Sequence, residues 1–171
     1  MNFNNIIVGN VGGLHVIASV LALISGSFVL WMQKGTQNHR KMGYFYTISM
    51  VLVLITAFSI YRLFGKWGVF HWTAIISTLT LIAGFVPIFV KRPVRNYIYL
   101  HFNFMYWSVM GLYAAFVSET LVRFPKIFIN SGIPNRVFFN MVGLGTALVM
   151  GFGVYFFIKF KKICGQNLTQ S

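Results

Sequence analysis

Apolar residues along this chain gather into five long runs, and the polar residues fall mainly into short basic stretches between them. A helix needs about 20 mostly apolar residues to cross a bilayer. Five stretches reach that length, at about 6–32, 42–61, 67–90, 97–123 and 137–160. Strands are excluded here, because an open strand would leave backbone N–H and C=O groups unpaired in hydrocarbon. The pattern therefore predicts an all-α integral membrane bundle of five transmembrane helices, forming a single domain over residues 1–171. Three of the connections are short, which makes consecutive helices antiparallel neighbours.

The connectors refine the boundaries. The stretch from Lys34 to Tyr46, KGTQNHRKMGYFY, joins the first two runs. Lys34-Gly35 reads as a glycine cap closing the first helix. The longest connection is ETLVRFPKIFINSGIPNR, from Glu119 to Arg136. The fourth helix is expected to pass Glu119, reach about Arg123 and stop before Pro125, because the residue preceding a proline disfavours helix. Lys126 to Asn130 is then expected to lie along the outer interface. In the fifth run, Gly143, Ala147 and Gly151 stand four apart, a small-residue stripe that predicts close helix packing. Gly145 and Gly153 add a second, partial stripe.

Charge gives the orientation. Lys34, Arg40, Lys41, Lys91, Arg92, Arg95, Lys159, Lys161 and Lys162 fall on one side of the predicted membrane, and Arg62, Lys66, Arg123, Lys126 and Arg136 on the other. Nine against five places the first set in the cytoplasm, with the N-terminus outside and the C-terminus inside. The N-terminal MNFNNIIVGN lacks a basic leader region, so it reads as the start of a retained helix and not as a cleaved signal peptide. A net charge of +13 raises nucleic acid as a partner. The placement of the charges at helix ends assigns them instead to the lipid bilayer and its anionic inner-leaflet lipids. Charged residues make up 9% of the chain, against about 25% in soluble domains. The expected location is the cell membrane, with the bacterial inner membrane the natural setting. The single cysteine, Cys164, excludes an intrachain disulfide.

Four histidines are the clearest pointers to chemistry. In alternating helices, His15 and His71 fall on one outer level, and His39 and His101 on one inner level. The levels are about 15–25 Å apart at a rise of about 1.5 Å per residue. Ionisable groups at membrane depth are costly and mark functional sites. Neutral imidazole ligates haem iron, zinc and copper. Two such pairs could clamp two b-type haems, His15/His71 outside and His39/His101 inside, and carry electrons across the membrane. Arg40 and Arg95 could then meet haem propionates or, equally, lipid phosphates. A histidine near a helix end is also commonly an interfacial residue bonded to backbone or lipid. A second class of function is a zinc or copper site at the outer face, from His15, His71 and Glu119. A third is a cofactor-free membrane subunit or small-solute carrier, in which these groups titrate or bind substrate directly. Glu119 is the only acid in the chain. It stands four residues before Arg123, so the two can form a structural ion pair, and Arg62 is the alternative partner. A redox partner or a second copy of the chain would complete such a protein. No nucleotide-binding loop or nucleophile motif is present, so enzymatic activity is left open.

The spacing of these polar positions also carries a resemblance. His15, Lys34-Gly35, His39-Arg40-x-x-Gly43-x-x-Tyr46, Met50, His71, His101 with Met105, and Tyr113-x(5)-Glu119-x(3)-Arg123 follow one another in this order. The chain thereby resembles, over about Gly12 to Arg123, the bacterial membrane-protein family catalogued as domain of unknown function 2306. The His-Arg-x-x-Gly-x-x-Tyr segment is the most specific part. That family has no established activity, so the resemblance implies an integral-membrane fold and marks the same polar positions, without a mechanism. The placing of one histidine per helix on alternating levels is also similar, in arrangement alone, to the ascorbate-reducible di-haem cytochromes b.

Overall fold

The computed structural model describes residues 10–60, 67–90, 94–128 and 135–169, with side chains for 10–60, 67–90, 97–122 and 136–159. Five α-helices account for nearly all of the described residues: α1 (Asn10–Trp31), α2 (Gln37–Ser59), α3 (Val69–Val90), α4 (Val94–Phe128) and α5 (Asn135–Thr169). α1 packs on α2, α3 on α4, and α4 on α5, while smaller contacts join α2 to α3 and α1 to α4.

Local chemistry sets the boundaries. α1 ends where Lys34 folds back and donates from Nζ to the carbonyls of Val29 and Leu30, at 2.7 Å each. Gly35 follows with φ +81°, the left-handed conformation expected of a glycine cap. α2 then begins at Gln37, five residues before the expected Met42. Thr36 is the reason: its side chain accepts the backbone N–H of His39 at 3.2 Å, which caps the helix early. His39 is therefore inside α2 and not ahead of it. α4 continues through Pro125 to Phe128, past the predicted stop. α3 likewise contains Pro87. Prolines are tolerated in membrane helices because neighbouring groups take up the freed backbone carbonyls.

The core is small and mixed in size. Ala18, Ala22, Tyr46, Met50, Leu54, Leu81, Met105, Val109 and Leu112 are buried between α1, α2, α3 and α4. Around this core lies a continuous apolar surface that includes Ile17, Phe28, Ile48, Ile76, Phe89 and Phe152. A soluble protein would not tolerate so much exposed apolar area, whereas lipid tails satisfy it. α1, α2, α3 and the segment Arg136–Lys159 of α5 are each long and apolar enough to cross a membrane.

α4 does not meet that standard of apolarity among its described residues. It is the central helix, and several of its polar side chains bond its neighbours, although the buried Asn103 Oδ1 has no hydrogen-bond partner among the described residues. His101 bonds the Gly84 carbonyl of α3, Ser108 bonds Tyr46 of α2, and Tyr113 bonds Ser27 of α1. Tyr106 donates to the Gly153 carbonyl of α5 at 2.7 Å, and Ser118 reaches Thr146 and the Val142 carbonyl. Hydrogen bonds between helices satisfy polar groups that lipid cannot. Hydroxyls elsewhere, such as Ser25, Thr47 and Thr78, return to carbonyls of their own helix.

The packing stripe on α5 differs from the expected one. Gly143, Ala147 and Gly151 are exposed, and a Cβ built on either glycine would meet nothing within 4 Å. Gly145 and Gly153 are the buried pair. A Cβ on Gly145 would stand 3.1 Å from Leu121 and Ser118, and one on Gly153 would stand 3.2 Å from Met110. The stripe that packs is decided by where the hydroxyl of Ser118 and the ring of Tyr106 can reach α5, which spacing does not encode.

Candidate functional site

One cavity, of about 110 Å³, opens between α1, α2, α3 and α4 at the end of the bundle that carries His15. His15 and Ser19 line it from α1, and Met50, Val53, Leu54 and Ala57 from α2. α3 contributes Phe70, His71, Thr73, Ala74 and Ser77, and α4 contributes Leu112, Ala115, Phe116 and Glu119. The α4 residues follow helical spacing, so one face of that helix forms a wall. His15, His71 and Glu119, singled out separately in the sequence, thus line the same space.

Hydrogen bonds define which nitrogen of each imidazole carries its proton. Thr56 Oγ1 lies 2.7 Å from the Leu52 carbonyl and 2.9 Å from the Val53 carbonyl, and a carbonyl can only accept. The hydroxyl proton is directed there. His15 Nδ1, 2.8 Å from the same oxygen, is then the donor, which leaves the lone pair of neutral His15 on Nε2. His71 has the opposite arrangement. The backbone N–H of Gly68 donates to its Nδ1 at 3.1 Å, while the His71 N–H donates to the Gly68 carbonyl at 3.0 Å. The His71 side chain thus supplies the N3 half of a capping box, in the place usually held by Glu or Gln, while Gly68, without a side chain, accepts through its carbonyl. His71 Nδ1 therefore carries no proton, and neutral His71 holds it on Nε2. The His71 ring is 4% exposed and stacks on Trp67 with centroids 4.8 Å apart.

At the other end of the bundle His101 donates from Nδ1 to the Gly84 carbonyl at 2.7 Å. His39, His101 and Lys34 are within electrostatic reach of one another. His39 Nδ1 is buried and has no hydrogen-bond partner among the described residues. Met105 covers Gly84 so closely that a Cβ there would stand 2.7 Å from its Sδ. Arg40 is exposed. The levels expected from spacing are thus both occupied by histidine pairs.

The two histidine pairs differ in how their nitrogens are presented. A haem iron between His15 and His71 would need a lone pair on Nε2 of His71, and the Gly68 bond puts a proton there instead. The cavity is also small beside the ~300–1,000 Å³ typical of pockets for larger ligands. Among the described residues no three His, Cys, Asp or Glu side chains come together as a metal-binding group, so His15, His71 and Glu119 share a cavity without forming a zinc or copper cluster. His101 is held as a metal-ligating histidine often is, with Nδ1–H on a carbonyl and Nε2 left basic. The structural ion pair of Glu119 falls partly outside the described residues, since Arg62 and the side chain of Arg123 lie beyond them, as do the side chains of Arg95 and Cys164.

Sequence reasoning missed Thr56, Gly68 and Trp67. Thr56 is one hydroxyl among several on α2 and has no distinguishing spacing. Gly68 and Trp67 stand immediately ahead of an apolar run, and a glycine three residues before a histidine is the signal that marks the cap.

The fold and the cavity define a multi-helix membrane protein with a largely apolar cavity at one end of the bundle, into which a buried His71 and the half-buried His15 and Glu119 are set. Residues 12–158 match the family described as "Predicted membrane protein (DUF2306)", and the chain belongs to it. Comparison with curated proteins and with solved structures returned no match.

Proposed function

We propose that this protein is a cofactor-independent, multi-pass membrane protein that binds a small polar solute in the cavity between α1, α2, α3 and α4. His15, His71 and Glu119 are the contacting groups, in a carrier or in a membrane subunit. The observation behind this reading is the convergence of the three ionisable residues on one cavity whose volume suits a few water-sized groups. α4 is the fifth crossing, its polarity offset by bonds to every neighbouring helix. The excess of Lys and Arg at the His39 end puts that end, with the C-terminus, in the cytoplasm. The cavity then belongs to the outer half of a cell membrane, with the bacterial inner membrane as the setting.

The test has two parts. Protein purified after expression with haem, zinc and copper supplied should show no Soret band and no stoichiometric metal. In a Cys164→Ser background, Ser19→Cys should react with a small membrane-impermeant thiol reagent added to intact cells. A haem spectrum, or a cysteine at position 19 that stays unreactive until the cells are opened, would remove the reading.

A second reading keeps His39 and His101 as ligands of a b-type haem or a metal ion at the inner end. It is favoured by the His101–Gly84 bond, which leaves the coordinating nitrogen of His101 basic. A reduced-minus-oxidised difference spectrum that disappears in His101→Ala, and survives in His71→Ala, is what this reading requires.

A further inference from the structure

α2 and α4 run in the same direction, since His39 and His101 lie at one end of the bundle and Ala57 and Glu119 at the other. The bond between Tyr46 and Ser108 fixes their register across the core. His39 stands seven residues before Tyr46, and His101 seven before Ser108. Seven residues make two turns of helix, about 10 Å, and return to the same face. The two histidines therefore face one core at the end opposite the cavity, within electrostatic reach of each other. Each has a methionine on its own face one turn deeper in the bundle, Met42 after His39 and Met105 after His101. Met42 packs against the core, and Met105 is buried with its Sδ against Gly84, the residue whose carbonyl holds His101. Gly43 lies on the same face of α2, between His39 and Tyr46. A Cβ built there would meet nothing within 4 Å, so this level borders open space. His39 Nδ1 is buried without a hydrogen-bond partner among the described residues, and neutral His101 keeps its lone pair on Nε2.

We infer that His39, Met42, His101 and Met105 form a reversible site for a soft monovalent metal ion, copper(I). Thioether sulfur selects copper(I), and imidazole nitrogen suits copper as well. Hard cations need oxygen ligands, and the one acid of the chain, Glu119, lies at the opposite end. Charge also favours a monocation. Thioethers and neutral imidazoles bring no negative charge, and Lys34, bonded to the Val29 and Leu30 carbonyls, is within electrostatic reach of both histidines. Its repulsion acts twice as strongly on a dication. The Gly84 carbonyl, by accepting from Nδ1, orients the His101 ring and raises the basicity of its other nitrogen. This inference deepens the reading of His39 and His101 as ligands at the inner end, and rests on it. Copper(II) prefers nitrogen and oxygen ligands in a tetragonal arrangement. Protein prepared in air should therefore be free of metal, and copper(I) is a passing occupant of the site and not a resident cofactor.

The experiment uses the full chain without an affinity tag, carrying Cys164→Ser, in lipid nanodiscs under anaerobic conditions. Copper(I) is supplied as its acetonitrile complex, and a chelator that colours on binding copper(I) competes for it. The protein should take up copper(I) stoichiometrically, and X-ray absorption at the copper edge should show sulfur as well as nitrogen around the ion. Met42→Leu combined with Met105→Leu keeps the apolar volume and removes both sulfurs. It should weaken the affinity about tenfold or more, with the thermal midpoint of the metal-free protein close to that of the parent. His39→Leu should abolish stoichiometric uptake, and zinc(II) should not compete. Copper(I) held as tightly by the methionine variant but lost in His39→Leu overturns the thioether site, while the reading of the histidines as ligands stands. Uptake unchanged in both variants, or no uptake by the parent, overturns the copper site altogether. Zinc(II) bound as tightly as copper(I) overturns the assignment to a soft monovalent ion. A haem difference spectrum that depends on His101 upholds the histidines as ligands and overturns copper.

Discussion

Tyr46 Oη and Ser108 Oγ meet at 2.8 Å in the middle of the bundle, both fully buried. The bond joins α2 to α4, and the Tyr46 ring lies against Gly26 of α1, where an added Cβ would stand 3.1 Å from it. Three helices therefore meet at one aromatic ring with one hydroxyl. Tyr46→Phe keeps the ring and leaves Ser108 without this partner, so it should cost about 1 kcal/mol. Tyr46→Ala should cost about 3–5 kcal/mol through the cavity it leaves. Unfolding in a double-mutant cycle with Ser108→Ala measures the coupling. A Tyr46→Phe effect that persists in the Ser108→Ala background would show that the pair contributes nothing as a pair.

Gly84 and Met105 form a second close contact, beside the carbonyl that His101 holds. Gly84→Ala should destabilise by about 1–3 kcal/mol, the usual cost of overpacking. The loss should be smaller in a Met105→Ala background, because the clashing sulfur is gone. Equal losses in both backgrounds, read from thermal unfolding in detergent, would place the strain elsewhere.

The two glycine stripes of α5 give opposite expectations. Gly145→Val drives a branched side chain into Ser118 and Leu121, with the Ser118 Cα at 3.3 Å from the first added atom. It should loosen α5 from α4 and lower the unfolding midpoint. Gly143→Val meets open space and should leave the midpoint within error. The reverse ranking would mean that the exposed stripe is covered in the membrane by something other than lipid.

His71 has a structural task apart from the cavity, since it caps the start of α3. His71→Ala should cost about 1 kcal/mol, as the loss of a helix cap does. His71→Gln should restore most of that stability, because glutamine at this position can also reach back to the backbone N–H. If both variants are equally destabilised, the cap is not what His71 contributes.

Much of this protein could be read from the chain alone. Long apolar runs can only be helices in a bilayer, since hydrocarbon offers no partner for a free backbone group, and all five helices lie where the runs do. Gly35 closes α1 as the Lys34-Gly35 pair predicts. The alternation of helix direction brought His15 and His71 to one end of the bundle and His39 and His101 to the other. Boundaries were less legible. The N-cap at Thr36 and the passage of α4 through Pro125 depend on a single side-chain bond and on the surroundings of a helix, which periodicity does not register.

What the sequence by itself determined is the membrane class, the five helices and the end of the bundle at which each histidine lies, because burial in lipid and a fixed rise per residue act along one chain. Only the tertiary structure decided which residues share a space. It placed the polar helix α4 at the centre, selected Gly145 and Gly153 over Gly143 and Gly151, and brought Glu119 to the same cavity as two histidines. It also assigned the imidazole protons, through Thr56 and Gly68. Those outcomes depend on the rotation of each helix about its axis, and that rotation is set by side-chain packing and hydrogen bonds between helices that are distant in sequence.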